Sequence, residues 1–205
     1  EITGTASVTP WTMAYLLLTL ASLIPSVWLV SRFVNGLRLG WVTSVFGQMR
    51  WKYLSVCVGL SVLALAATLA VAGLTPQDAM EMGTGEVNEF TRTTLAFVVL
   101  FVFLVPFQAA GEEYLFRGYL TQAFGGLFSS LWVSRTIAVV VPAFLFALAH
   151  GAQDPPIFVD RLAFGLVAGV LVIVTGGLEA AIAMHVLNNY VAFAGALAFA
   201  DLDSA

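Results

Sequence analysis

WTMAYLLLTLASLIPSVWLV, the run from Trp11 to Val30, is long and apolar enough to cross a bilayer as one helix. It contains no charged residue, opens on a tryptophan suited to a membrane interface, and is followed by Arg32. About 20 apolar residues carry a helix across the hydrocarbon core of a bilayer, and an unbroken run of this length exceeds what a soluble core helix needs. Comparable runs cover Tyr53 to Leu74, Thr91 through Val105 and on to about Phe124, Leu131 to Ala149, Arg161 to Thr175, and Leu178 to Ala200.

Composition agrees with that pattern. Of the 205 residues 60% are hydrophobic and only 10% charged, and the mean hydropathy is +0.95, far outside the range of soluble globular domains. The expectation is an all-α fold, a polytopic transmembrane helical bundle of about six membrane segments. It forms a single transmembrane domain over residues 1–205, with the chemistry-bearing half at about 91–200. Cys57 stands alone in an apolar run, so there is no disulfide framework and no cysteine-based metal cluster. A formal charge of -4 and a pI near 5.0 exclude a basic nucleic-acid surface. No internal repeat is evident, which argues against a transporter built from symmetric halves.

The connecting segments divide by charge. Ser31 to Lys52 carries Arg32, Arg38, Arg50 and Lys52, half of the eight basic residues, and the positive-inside bias places it on the cytoplasmic side. Its spaced apolar residues (Leu37, Leu39, Trp41, Val42, Val45, Phe46, Met49) leave room for a short interfacial helix. Thr75 to Thr91 holds Asp78, Glu81, Glu86 and Glu89 and is expected outside. Pro106 is expected to kink or divide the third helix, and Gly125-Gly126 and Gly176-Gly177 to turn the chain. Gly151 to Asp160, with Pro155 and Pro156, reads as a loop.

Against this apolar background stands Phe107-Gln-Ala-Ala-Gly-Glu-Glu-Tyr-Leu-Phe-Arg117. A buried carboxylate costs several kcal/mol or more unless it is paired or put to use, so adjacent Glu112 and Glu113 point to a working site at membrane depth. Glu113 and Arg117 are four residues apart and share a helix face, which suits an ion pair. Glu112 is turned by about 100° from that face and is left to project elsewhere. A carboxylate in apolar surroundings holds a proton more readily, which suits a general base acting on water. The two histidines also stand in apolar segments: His150 closes Phe146-Ala-Leu-Ala-His150, and His185 shares a helix face with Asn189. Each alone reads as a packing or interhelical hydrogen-bond residue; beside a buried glutamate pair, they read as parts of one site.

In order, Glu-Glu-x-x-x-Arg (112 to 117), Phe-x-x-x-His (146 to 150) and His-x-x-x-Asn (185 to 189) resemble the three-motif signature of the CAAX protease and bacteriocin-processing family. This is the membrane family of the Ras-converting CAAX endopeptidases and the Abi proteins. The resemblance covers the C-terminal half. It implies a metal-independent, cofactor-free intramembrane endopeptidase of glutamate type. In that scheme Glu112 activates water with help from His150, His185 and Asn189 stabilise the oxyanion, and Glu113 and Arg117 hold the helix in register. The implied partners are a peptide or lipidated, CAAX-like protein substrate, the lipid bilayer, and a further membrane protein. The implied location is the cell membrane, crossed several times.

Two other readings compete. A zinc hydrolase would find three ligands in two histidines and a glutamate, but the His-Glu-x-x-His helix motif is absent. A membrane scaffold or bacteriocin-immunity protein would use the same cavity for binding alone. One geometric obstacle also stands: Glu112 lies about 18 Å before the turn at Phe124 to Ser130 and His150 nearly 30 Å after it, at about 1.5 Å per residue. Straight antiparallel helices would not bring the two level. A kink at Pro106 or Pro142, a strong tilt, or an interfacial segment near Leu127 to Arg135 is required.

Overall fold

The structure, a computed structural model, describes residues 8–74, 88–150 and 155–199. The acidic Asp78, Glu81 and Glu86 and the loop residue Asp154 lie outside these segments. Among the described residues the architecture is all-α: no strand occurs, and one isolated antiparallel bridge pairs Ser44 with Gly177. Six helical spans among the described residues are long and apolar enough to cross a membrane, as expected of a multi-pass membrane protein. Their outward faces carry exposed Leu, Val, Phe and Trp side chains, among them Trp11, Trp51 and Trp132, as a lipid-facing surface requires.

The first span is two helices in near-continuation, α1 (Pro10–Ala21) and α2 (Leu23–Phe33). Thr9 and Thr12 form a capping box at the start, with Pro10 in the first turn, where its missing N–H costs nothing. The interruption at Ser22 falls just before Pro25, whose ring cannot supply a hydrogen bond to the preceding turn. Serine hydroxyls bond back to carbonyls on either side of the break: Ser22 Oγ donates to Thr19 O at 2.6 Å and Ser26 Oγ to Ser22 O at 2.8 Å.

The expected short helix in the basic segment exists as α3 (Leu39–Thr43), with one side packed against α2 and the π-helical segment Tyr114–Leu120. Val42, Thr43 and Ser44 are buried, with Trp41, Val45 and Phe46 left outward. After Met49, Arg50 meets the fully buried Glu179 through Nε at 3.0 Å, Nη2 at 2.7 Å and its own backbone N–H at 2.9 Å. Its Nη1 donates to Thr175 O at 3.0 Å. Hydrogen bonding to Glu179 raises the Arg50 pKa above the ordinary arginine value. Gly177 permits this closure: a Cβ there would overlap Glu179 Oε2 and come within 2.6 Å of Arg50 Nη2.

α4 (Trp51–Leu74) follows at once and packs along α9 (Glu179–Phe199). α5 (Arg92–Glu113) starts on a second capping box, Thr91 with Thr94, and runs through Pro106 without ending there, contrary to one of the two outcomes expected of that proline. The carbonyl that Pro106 leaves without its helical donor is that of Val102, and Tyr190 on α9 donates its hydroxyl to it at 3.0 Å. The real irregularity comes later, as a π-helical segment at Tyr114–Leu120, before α6 (Thr121–Gly125). This segment is pinned to α3 by Thr43 Oγ1 with Tyr114 Oη at 2.8 Å.

α7 (Leu131–Ala149) packs along α8 (Pro155–Thr175). The expected loop from Gly151 to Asp160 is shorter than read. Pro155 and Pro156 open α8, because prolines are tolerated in a first helical turn. α1 and α9 both pack against α5, so the motif-bearing helix is central. One apolar cluster joins Val27, Val42, Tyr114, Leu178 and Ile182, and another joins Leu17, Phe97, Phe101 and Val105. They lie on either side of Glu112 and Glu113 along α5 and the π segment.

Candidate active site

Glu112 and Glu113 end α5 immediately before the π segment, at exposures of 4% and 0%. Gly111 beside them lets α1 approach closely, since a Cβ there would overlap the Leu20 carbonyl oxygen. The two carboxylates have different company. Glu113 Oε1 accepts Arg117 Nη1 at 3.0 Å, the i to i+4 pair expected from spacing. The same oxygen accepts His185 Nδ1–H at 2.7 Å, so His185 from α9 is tied to Glu113 as well as facing Glu112.

Arg117 is itself 1% exposed. Its Nε and Nη2 have no hydrogen-bond partner, and neither does Glu113 Oε2. Aromatic rings replace the missing partners: the guanidinium carbon lies 4.1 Å from the centre of Phe146 and 5.8 Å from those of Phe116 and Phe164.

Glu112 faces the cavity side. Its Oε2 accepts Gln108 Nε2–H at 2.9 Å and stands 3.3 Å from His185 Nε2. Its Oε1 is 3.9 Å from His150 Nε2, too far for a direct hydrogen bond and suited to one intervening water. His150 Nδ1 lies 2.8 Å from the Phe146 carbonyl. A carbonyl only accepts, so Nδ1 carries the hydrogen there and Nε2 of the neutral ring is the acceptor directed at Glu112. Asn189 reaches the same cluster through Nδ2, which donates to Gln108 Oε1 at 2.9 Å.

Glu112, His150, His185 and Asn189 therefore line one cavity of about 530 Å³, together with Gln108 and Arg161. Glu113 and Arg117 stand behind it. The helices meet despite the obstacle in their lengths. His150 Nε2 stands 3.9 Å from Glu112 Oε1, at the end of α7 and beside the π segment that follows Glu113.

Three polar lining residues, Gln108, Arg161 and Asn188, have no role in the sequence analysis. Gln108 was legible as a polar residue one helical turn before Glu112 in an apolar run. Arg161, paired with Asp160 at 3.3 Å, had been read only as the start of a span. Among the described residues no three His, Cys, Asp or Glu side chains form a set arranged to hold a metal ion.

Residues 93–191 match the family described as type II CAAX prenyl endopeptidase, Rce1-like, and all three motifs fall within that stretch. The chain is also 29% identical over 170 residues to the uncharacterized protein YyaK of Bacillus subtilis (strain 168). That alignment covers 81% of the chain and 55% of the relative, so the chain spans about half the length of the curated protein it matches. No solved structure matches the chain.

Proposed function

We propose that this chain, a member of the Rce1-like family through residues 93–191, is an intramembrane endopeptidase that uses Glu112 rather than a metal to hydrolyse a peptide bond of a membrane-associated or lipidated substrate. The observation that carries the reading is the division of labour within Glu112. One oxygen is held by Gln108, and the other faces the acceptor nitrogen of His150 across a water-sized gap.

A water in that gap donates one hydrogen to Glu112 Oε1 and the other to His150 Nε2, which turns its oxygen lone pair outward. When the scissile carbonyl carbon comes within reach, that oxygen attacks and Glu112 takes the proton. The carbonyl oxygen becomes an anion and receives the second N–H of the Asn189 amide. His185 already gives Nδ1–H to Glu113, so it assists through Nε2 only while that nitrogen also carries a proton. The proton held by Glu112 then passes to the leaving amide nitrogen, the C–N bond breaks, and an acid and an amine result. Glu113, Arg117 and the aromatic rings hold His185 and the helix end in place. Apolar walls around the cavity keep bulk water from weakening these interactions.

The test is to incubate the detergent-solubilised protein and Glu112→Gln with peptides bearing prenylated and unprenylated C-termini, and to look for new ends by mass spectrometry. Cleavage by the wild type alone is expected. Equal cleavage by Glu112→Gln removes Glu112 from the chemistry, and no cleavage by a folded wild type favours binding without turnover.

A further inference from the structure

Gln108 belongs to none of the three motifs, yet it is the only side chain that hydrogen-bonds both Glu112 and Asn189 among the described residues. It is 4% exposed, one turn before Glu112 on α5, and its partner Asn189 is 81 residues away on α9. We propose that Gln108 is a positioning residue that uses the carboxylate of Glu112 to set which way the Asn189 amide points. The inference rests on the reading of Asn189 as an oxyanion donor.

The direction of the relay follows from donor and acceptor chemistry. An ionised carboxylate only accepts, so Gln108 must turn its NH2 toward Glu112 Oε2. Its Oε1 then faces Asn189, and an amide oxygen also only accepts. Asn189 is thereby obliged to present Nδ2 rather than Oδ1. One of its two N–H bonds is spent on Gln108, and the other remains on the same end of the amide for a developing oxyanion. Without the relay, the two flipped forms of Asn189 differ little, and one of them aims a carbonyl dipole at negative charge.

The attachment also survives the reaction. Gln108 holds Oε2, whereas the proton from water arrives at Oε1, so neither Gln108 nor Asn189 has to reorient while charge develops. A plain cross-link between α5 and α9 would need none of this polarity.

The test uses the full chain in detergent, with nitrogen-15 in its Asn and Gln side chains. Gln108→Met removes both hydrogen bonds at similar volume. Relative to the wild type, exchange of the Asn189 side-chain amide hydrogens is expected to quicken by about tenfold or more. On a peptide that the wild type cleaves, kcat per folded molecule, with the folded fraction measured by thermal unfolding in the same detergent, is expected to fall about 10- to 100-fold with KM nearly unchanged, a loss that reduced stability alone does not produce once the folded fraction is taken into account. Glu112→Gln is the second variant. Its amide presents either end to Gln108, so the Asn189 signal is expected to divide into two environments.

Unchanged exchange in Gln108→Met together with a single Asn189 environment in Glu112→Gln overturns the proposal. So does a kcat in Gln108→Met within twofold of the wild type. Cleavage by Glu112→Gln would sink the proposed chemistry instead, and the exchange measurements judge Gln108 whether or not any peptide is cleaved.

Discussion

The guanidinium carbon of Arg117 lies 4.1 Å from the centre of the Phe146 ring, so the buried cation rests on the residue that opens the Phe146 to His150 motif. The phenylalanine and the histidine of that motif thus have separate duties. Phe146 shields the charge behind the site, its backbone carbonyl orients His150, and His150 faces Glu112. Phe146→Leu keeps an apolar side chain but removes the ring face. It is expected to lower the thermal midpoint in detergent by an amount corresponding to roughly 1–2 kcal/mol. Phe146→Tyr, which keeps a ring face, should recover part of that loss.

Removing the cation itself costs more. Arg117→Ala leaves Glu113 buried with only His185 for company and is expected to destabilise the fold by about 3–5 kcal/mol. A thermal-unfolding series checks this, with the double replacement Glu113→Met and Arg117→Met recovering most of the loss because no charge is then stranded. An Arg117→Ala protein as stable as the wild type yet inactive would place Arg117 in the chemistry instead.

His150→Ala takes away one of the two acceptors of the proposed water. With Glu112 still present, kcat is expected to fall by about 10²- to 10⁴-fold. KM and the thermal midpoint should change little, since the His150 side chain is partly exposed and makes no buried ion pair. Steady-state kinetics on one cleaved peptide decides it, and a loss confined to KM would make His150 a substrate-binding residue.

The closure between Arg50 and Glu179 admits a sharper substitution. Arg50→Lys keeps the charge but cannot reproduce the forked contact with both carboxylate oxygens and the bond to Thr175 O. It is expected to destabilise nearly as much as Arg50→Ala. Gly177→Ala should match them, because its methyl group enters the space that the pair occupies. Proteolysis between Val34 and Met49 would register the release of α3 in all three variants.

Zinc chelation is expected to leave cleavage intact. Activity lost to a chelator and restored by added zinc would revive the metal reading of the two histidines.

Long apolar runs made the six spans legible, since each must satisfy its own backbone within hydrocarbon, and the 112, 113 and 117 spacing showed which glutamate takes the arginine. Other features left no periodic trace. The contact of Arg50 with Glu179 joins residues 129 positions apart, and that of Gln108 with Asn189 joins residues 81 apart. Which of the two outcomes expected of Pro106 holds was not legible for a related reason: whether a proline ends a membrane helix depends on whether a distant hydroxyl, here that of Tyr190, reaches the orphaned carbonyl. Pro155 and Pro156 were read as breakers, although at a helix start they are compatible with the first turn.

The π segment makes the site sensitive to chain length rather than to residue type. Its wider winding begins at the residue after Glu113, so every side chain from Tyr114 onward takes its bearing from that change of pitch. Deleting Gly118 would let the winding relax to an ordinary α-helix without removing any charge or ring. Glu113 and Arg117, four residues apart, would still share a face, but every residue from Tyr119 onward would be turned by about 100°. Tyr119 would take the place of Gly118, where a Cβ comes within 2.7 Å of the Val42 side chain, so such a protein would keep its spans and its ion pair and lose the register that seats the π segment on α3.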